Sequence, residues 1–193
     1  SLDCTMWQFG AVEIEDEEYD GNIYYSDYSV KKDDNTGETM RIDDSSSNNI
    51  NVYYQTKLST GRWLPIVKNN DDYAGLSGQS ITGLAVTTDT GYIKYRVHVN
   101  SGWLGFIDSR NTDINDYYNG YAGNDTPVDA VEIYYYTPDD IINSSGYHYA
   151  FYRVSPVNRD YYSLQKDNST DNGMDGYAGI FGHFIDRIQI DIR

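Results

Sequence analysis

The chain has a single cysteine, Cys4, in 193 residues, so no intrachain disulfide can form and stability must come from packing. Cys4 lies in an apolar strand pattern with no legible Cys/His/Asn arrangement, which argues against thiol chemistry. Helix formers are scarce: seven Ala and seven Leu stand against 21 Tyr and 17 Gly. Aromatic and β-branched residues suit pleated, half-buried surfaces, and Gly, Asn and Asp supply tight turns, so the expected fold is all-β. No stretch approaches the roughly 18 apolar residues of a membrane span, and the first residues lack a signal peptide's basic and apolar regions. A membrane is therefore not an expected partner. Bases are few as well, 14 Lys and Arg against 30 Asp and Glu, for a net charge of −16. A phosphate backbone needs clustered Lys and Arg, which excludes nucleic acid as the expected partner. The acidity is uneven, with 13 acids and 3 bases in residues 1–50 and 17 acids and 11 bases in residues 51–193. It reads as a solvated surface weighted toward the N-terminal quarter.

What is present is a repeat. Tyr-Ala-Gly occurs at Tyr73-Ala74-Gly75, Tyr121-Ala122-Gly123 and Tyr177-Ala178-Gly179, and a β-patterned apolar segment follows each copy. Ile81, Leu84 and Val86 follow the first; Val128, Val131 and Ile133 the second; Ile185, Ile188 and Ile190 the third. A hairpin pattern precedes each copy: Val52 to Leu58 with Trp63 to Val67, Tyr92 to Val99 with Trp103 to Ile107, and Tyr147 to Val154 with Tyr161 to Leu164. Val97 and Val99 alternate with Arg96 and His98, the period of a strand with one wet face. The units span about 51–91, 92–146 and 147–193. Three such units predict a pseudo-threefold antiparallel module of β-trefoil or β-prism type, with two packed sheets as the alternative.

Ahead of the repeat, residues 1–32 combine an apolar strand pattern from Leu2 to Phe9, an acidic stretch through Glu13 and Asp20, and the aromatics Tyr24, Tyr25 and Tyr28. They are too short for a core of their own. Residues 33–50 are polar and turn-rich and read as a linker.

A module repeated three times suits binding better than catalysis. Trp63 and Trp103 hold equivalent positions, where an indole face can stack on a sugar ring or pack the pseudo-threefold core; Asp160-Tyr161 stands there in the third unit. Tyr73, Tyr121 and Tyr177, with Asp72, Asp116, Asn119 and Asp175 in the preceding loops, are the other binding candidates. Their carboxylates and amides suit sugar hydroxyls or a peptide amine, and the same loops equally suit turns that need Gly and a core Tyr. Asp167, Ser169 and Asp171 have the start of a calcium-loop spacing, but Asn172 and Ala178 replace the Gly and Glu such a loop requires. His98, His148 and His183 have no zinc-like spacing, so no metal or other cofactor is expected. Among the many carboxylates, Asp113, Asp116, Asp125 and Asp129 could offer a glycosidase pair, yet no motif singles them out, and no catalytic residue is assigned.

The run Tyr95-Arg96-Val97-His98-Val99, Gly102-Trp103-Leu104, Asn119-Gly120-Tyr121-Ala122-Gly123 and Val128-Asp129-Ala130-Val131-Glu132-Ile133 resembles a target-recognition domain of lytic exoenzymes, the zoocin A type. It is similar also to the clostridial hydrophobic repeats. The resemblance covers residues 51–193 and implies a non-catalytic module that holds a separate peptidoglycan hydrolase on a Gram-positive cell wall, outside the cell or, if phage-encoded, in the cytoplasm until lysis. Thr5-Met6-Trp7-Gln8-Phe9-Gly10 and the acidic-aromatic stretch ending Asp27-Tyr28 resemble the end of a family-25 glycoside hydrolase, a muramidase barrel. That likeness implies a modular endolysin with its catalytic carboxylates upstream. The alternatives are a structural module that self-associates through its N-terminal segment and a lectin-like domain for another glycan.

Overall fold

The structure, a computed structural model, describes residues 12–14, 17–19 and 50–193. The chain divides into two compact units, Ser1–Ser47 and Asn48–Arg193. In the first, β1 (Val12–Ile14) and β2 (Glu17–Tyr19) pair as an antiparallel hairpin. The expected strand from Leu2 to Phe9, the Tyr24, Tyr25 and Tyr28 patch and most of the 33–50 linker lie outside the described residues.

The second unit is built on three antiparallel sheets, none of them closed, rather than on two packed ones. Each sheet rests on one long hairpin. In the first, β3 (Val52–Leu58) has β4 (Val67–Lys68) on one side and β6 (Ile81–Thr88) on the other. In the second, β7 (Tyr92–Val99) pairs with β8 (Gly102–Trp103) and β9 (Ile107–Asp108), and with β11 (Val128–Tyr136). The third pairs β12 (Ala150–Pro156) with β13 (Gln165–Lys166) and β15 (Ile185–Ile192). The alternation on β7 is as expected: Ile93, Tyr95, Val97 and Val99 are buried, and the residues between them are half-exposed.

The Ala-Gly pairs form the remaining short strands, and each joins the sheet of another unit. β5 (Ala74–Gly75) pairs with β15, β10 (Ala122–Gly123) with β6, and β14 (Ala178–Gly179) with β11. The registers correspond: Ala74 opposes Ile188, Ala122 opposes Leu84, and Ala178 opposes Val131. Unit 1 thus completes the sheet of unit 3, unit 2 that of unit 1, and unit 3 that of unit 2. The crossing needs this dipeptide. The Ala side chains are buried in the common core. The Gly residues have φ of 136°, 156° and 128°, and a Cβ on them would run into the carbonyls of Asp186, Thr82 and Asp129, which occupy equivalent positions on the receiving strands.

The nine apolar residues expected after the three Tyr-Ala-Gly copies are all buried in one core. Between the units, Ile81, Val128 and Ile185 meet Leu84, Val131 and Ile188 along a seam too narrow for water. Thr56 lines it where the other units have Val97 and Val154, and its hydroxyl is buried with no hydrogen-bond partner among the described residues. Three buried tyrosines, Tyr54, Tyr95 and Tyr152, tie the units a second time. The Tyr95 hydroxyl accepts from the Val86 amide at 3.2 Å, and that of Tyr152 from the Ile133 amide at 3.1 Å. Burial pushes the Tyr95 phenol up to about 12 and raises those of Tyr54 and Tyr152 further, so all three remain protonated.

Several expectations fail locally. The return segments Trp63 to Val67, Trp103 to Ile107 and Tyr161 to Leu164 are not continuous strands. In each unit the chain leaves the sheet after the Trp position and pairs again four residues on, at Val67–Lys68, Ile107–Asp108 and Gln165–Lys166. The strand expected from Tyr147 begins at Ala150. A short helix, α1 (Asp139–Ser145), interrupts the all-β pattern between units 2 and 3. It opens after Pro138, with Asp139 and Asp140 in its first turn, and ends at Gly146 with φ 91°. No helix among the described residues is long and apolar enough to cross a membrane.

Candidate binding seams between the units

The exchanged strands bring the tyrosine of each Tyr-Ala-Gly against the Trp position of the preceding unit. Trp63 meets Tyr121 edge-on, with ring centroids 5.0 Å apart, and Trp103 meets Tyr177 edge-on at 5.4 Å. At the third seam the guanidinium of Arg187 lies over both Tyr161 and Tyr73, 5.3 and 5.7 Å from the ring centroids. Residues far apart in sequence thus converge on three related seams.

The first seam is closed. Tyr121 is 3% exposed, and Lys57 Nζ bonds its hydroxyl at 3.3 Å and the Asp125 carboxylate at 2.7 Å. Tyr117 and Tyr118 lie outside it, and Tyr118 is 83% exposed. In that loop Asp116 accepts from the amides of Tyr118 and Asn119, so its carboxylate shapes the turn that carries the exposed Asn119.

The second seam is the broadest. Tyr177, Phe181 and His98 stack in a column with centroid separations of 5.0 and 3.9 Å, and Trp103 stands edge-on to all three. Arg96 lies between the Trp103 and Phe106 rings; its Nε donates to Glu132 Oε2 at 2.7 Å, and its Nη2 forms an ion pair with the same oxygen at 2.6 Å. His98 Nδ1 meets Asp129 at 2.6 Å, and the other Asp129 oxygen accepts from the Gly182 amide, which locks the loop carrying Phe181 to the receiving strand. Phe106 and Phe181 remain 48% and 47% exposed beside the half-buried Trp103.

The third seam contains Arg153 and Arg187. Arg153 lies over Tyr161 at 4.5 Å, as Arg96 does over Trp103, and its Nε donates to Gln189. Arg187 donates to Asp186, to the Ser155 hydroxyl and to the Arg159 carbonyl. Asp72 and Tyr73 border this seam; Asp72 caps the Tyr73 amide, and its carbonyl accepts from Gln189. Asp175 is exposed on the loop before Tyr177.

Trp63, Trp103, Tyr73, Tyr121 and Tyr177 are therefore seam residues, whereas Asp72, Asp116, Asn119 and Asp175 lie in the loops beside them, in different units. Reading the sequence missed Arg96, Phe106, Phe181, Arg153, Tyr161 and Arg187 as seam groups. Phe106 had a signal: Ile66 and Leu164 are large exposed apolar residues just before the equivalent return strands. Among the described residues no three His, Cys, Asp or Glu side chains could hold a metal ion together. Asp167, the first residue of the calcium-like spacing, is 5% exposed and accepts from the Ala150 and Tyr135 amides at 2.8 and 3.1 Å. Comparison of the chain with protein-family models, with characterised proteins and with solved structures gives no match.

Proposed function

We propose that residues 51–193 are a non-catalytic recognition module for a bacterial cell-wall polymer, peptidoglycan foremost, and that they hold a lytic enzyme on its substrate. The observation that carries this reading is the recurrence of an aromatic seam at each unit interface, built from Trp63 and Tyr121, Trp103 and Tyr177, and Tyr161 and Tyr73. Related weak sites on one rigid body gain avidity on a repeating polymer. The cyclic exchange of Ala-Gly strands favours a pseudo-threefold module of β-trefoil or β-prism type. The seams themselves differ, so equal occupancy is not part of the proposal. Phe106, Trp103 and Phe181 form the leading platform, because their rings remain partly open to a pyranose face.

Such a module acts outside the cell or, if phage-encoded, at lysis, and residues 1–32 then belong to an upstream hydrolase. Co-sedimentation of the whole chain with purified Gram-positive walls tests this. The chain sediments with walls, and Phe106→Ala with Phe181→Ser, which restores the Ser77 of unit 1, weakens binding by about tenfold or more, as for the loss of a contact hot spot. A chain that stays in the supernatant refutes the reading and leaves self-association as the better one. Clearing of wall suspensions by this chain alone refutes its non-catalytic part.

A further inference from the structure

The third seam repeats the second with two changes of charge: Gln189 replaces Glu132, and Arg187 stands where unit 2 has Ala130. Arg96 and Arg153 occupy equivalent strand positions, each over the ring at its unit's Trp position. Arg96 pairs across the sheet with Glu132, whose Oε2 accepts from Nε and lies 2.6 Å from Nη2, so the guanidinium is neutralised by a carboxylate. Arg153 pairs across with Gln189, which takes only Nε. Both terminal amino groups of Arg153 are therefore without a partner among the described residues, as is Nη1 of Arg187 beside the same ring. Asp186 is the one carboxylate bonded to either guanidinium among the described residues. Two arginines against one bonded carboxylate leave a positive excess, whereas Lys57 with Asp125 and Arg96 with Glu132 balance at the other seams. The Tyr161 hydroxyl adds a second unfilled group: it is buried and has no hydrogen-bond partner among the described residues. A phenol and two guanidiniums are donors in search of an acceptor, and a planar oxyanion matches the guanidinium fork in two parallel bonds.

We propose that the seam between units 3 and 1, formed by Arg153, Arg187, Tyr161 and Tyr73, is an oxyanion-recognition site in which the ligand supplies the negative charge that Glu132 supplies in unit 2 and meets the terminal amino groups that Gln189 leaves open. On the wall-binding reading, the anion is a carboxylate of the wall peptide or a phosphate of an attached polymer. Only that choice of source rests on that reading; the unfilled fork does not. Arg153 supplies the fork, Arg187 a second charge, and the Tyr73 and Tyr161 rings hold the two guanidiniums in place by cation–π contact.

The test uses the full chain, isotopically labelled, and follows the arginine Nε signals by NMR. N-acetylalanine, its neutral methylamide and inorganic phosphate are the probes. The carboxylate or the phosphate shifts Arg153 and Arg187 saturably, the methylamide does not, and the tighter of the two anions identifies the source. Gln189→Glu copies the Glu132 position of unit 2 into unit 3, neutralises Arg153 from within, and is expected to weaken anion binding by about tenfold or more, the worth of a charge-assisted bond. Arg153→Lys keeps the charge and loses the fork. Equal shifts with the methylamide overturn the site, and so does a Gln189→Glu protein that titrates like the parent. If the anion titrates but the chain does not sediment with walls, the wall reading falls and the oxyanion site stands.

Discussion

Asp167 shows how one side chain ties pH to stability in this fold. It accepts the Ala150 and Tyr135 amides, joining the start of the third hairpin to the end of the second. Burial pushes its carboxyl up to about 6, against the lowering effect of those two bonds. The folded chain therefore holds this proton more tightly than the unfolded chain does. The stabilising contribution is complete below the unfolded value near 4 and is lost as pH rises through 6. Unit 1 solves the same problem without charge: Asn69, also at positive φ, accepts from the Val52 amide at 2.9 Å. Asp167→Asn keeps both acceptor contacts and removes the buried charge. We expect it to raise stability at pH 7 by about 1–3 kcal/mol and to have a much smaller effect at pH 4. Urea unfolding of both proteins at the two pH values measures this; an equal difference at both would show that the charge is not the cause.

The decisive element is the two-residue Ala-Gly strand. Gly75 sits at φ 136° with the Asp186 carbonyl where a Cβ would go, whereas Gly102, at φ 113°, has open space there. Gly102→Ala therefore suffers backbone strain alone, about 1–3 kcal/mol. Gly75→Ala must in addition push β5 off β15, and a loss of roughly 3 kcal/mol or more is expected, with the larger drop read as a lower denaturation midpoint. Equal losses would mean that the crossing tolerates a methyl group. Much of this element was legible in the sequence. The Ala-Gly recurrence, the apolar triplets after it and the wet-and-dry alternation of Tyr95 to Val99 all name local geometry. The strand exchange was not legible, because a two-residue strand carries no pattern that says whose edge it will join. The same limit applied to the seams: the Trp and Tyr positions could be listed, but not that Trp63 would meet Tyr121 of the next unit. Arg153 and Gln189 gained meaning only when the sheet register set them opposite each other.

At the scale of the molecule, the cyclic exchange predicts cooperative behaviour that a linear repeat would lack. In a stacked array each unit touches its neighbours along the chain, and a terminal unit can be lost with the others intact. Here unit 3 donates β14 to the second sheet and receives β5 from unit 1, so removing it opens two junctions and bares the edge of β11. The apolar seam joins all three units, the Tyr152 hydroxyl crosses the boundary of units 2 and 3, and that of Tyr95 crosses the boundary of units 1 and 2. Residues 48–193 should therefore unfold in a single transition, with Trp fluorescence and backbone circular dichroism coincident in denaturant. The connection between units 2 and 3 provides the sharper test. It passes through α1, which has no buried residue, and Asn143 to Ser145 at its end are exposed. A protease site placed there and cut in the folded protein severs the chain but none of the strand pairings. The two pieces should remain together in size-exclusion chromatography and separate only in denaturant, with a refolded mixture regaining the uncut elution volume. Spontaneous separation under native conditions would show that each unit holds itself together, and the exchanged strands would then be ornament on three independent hairpins.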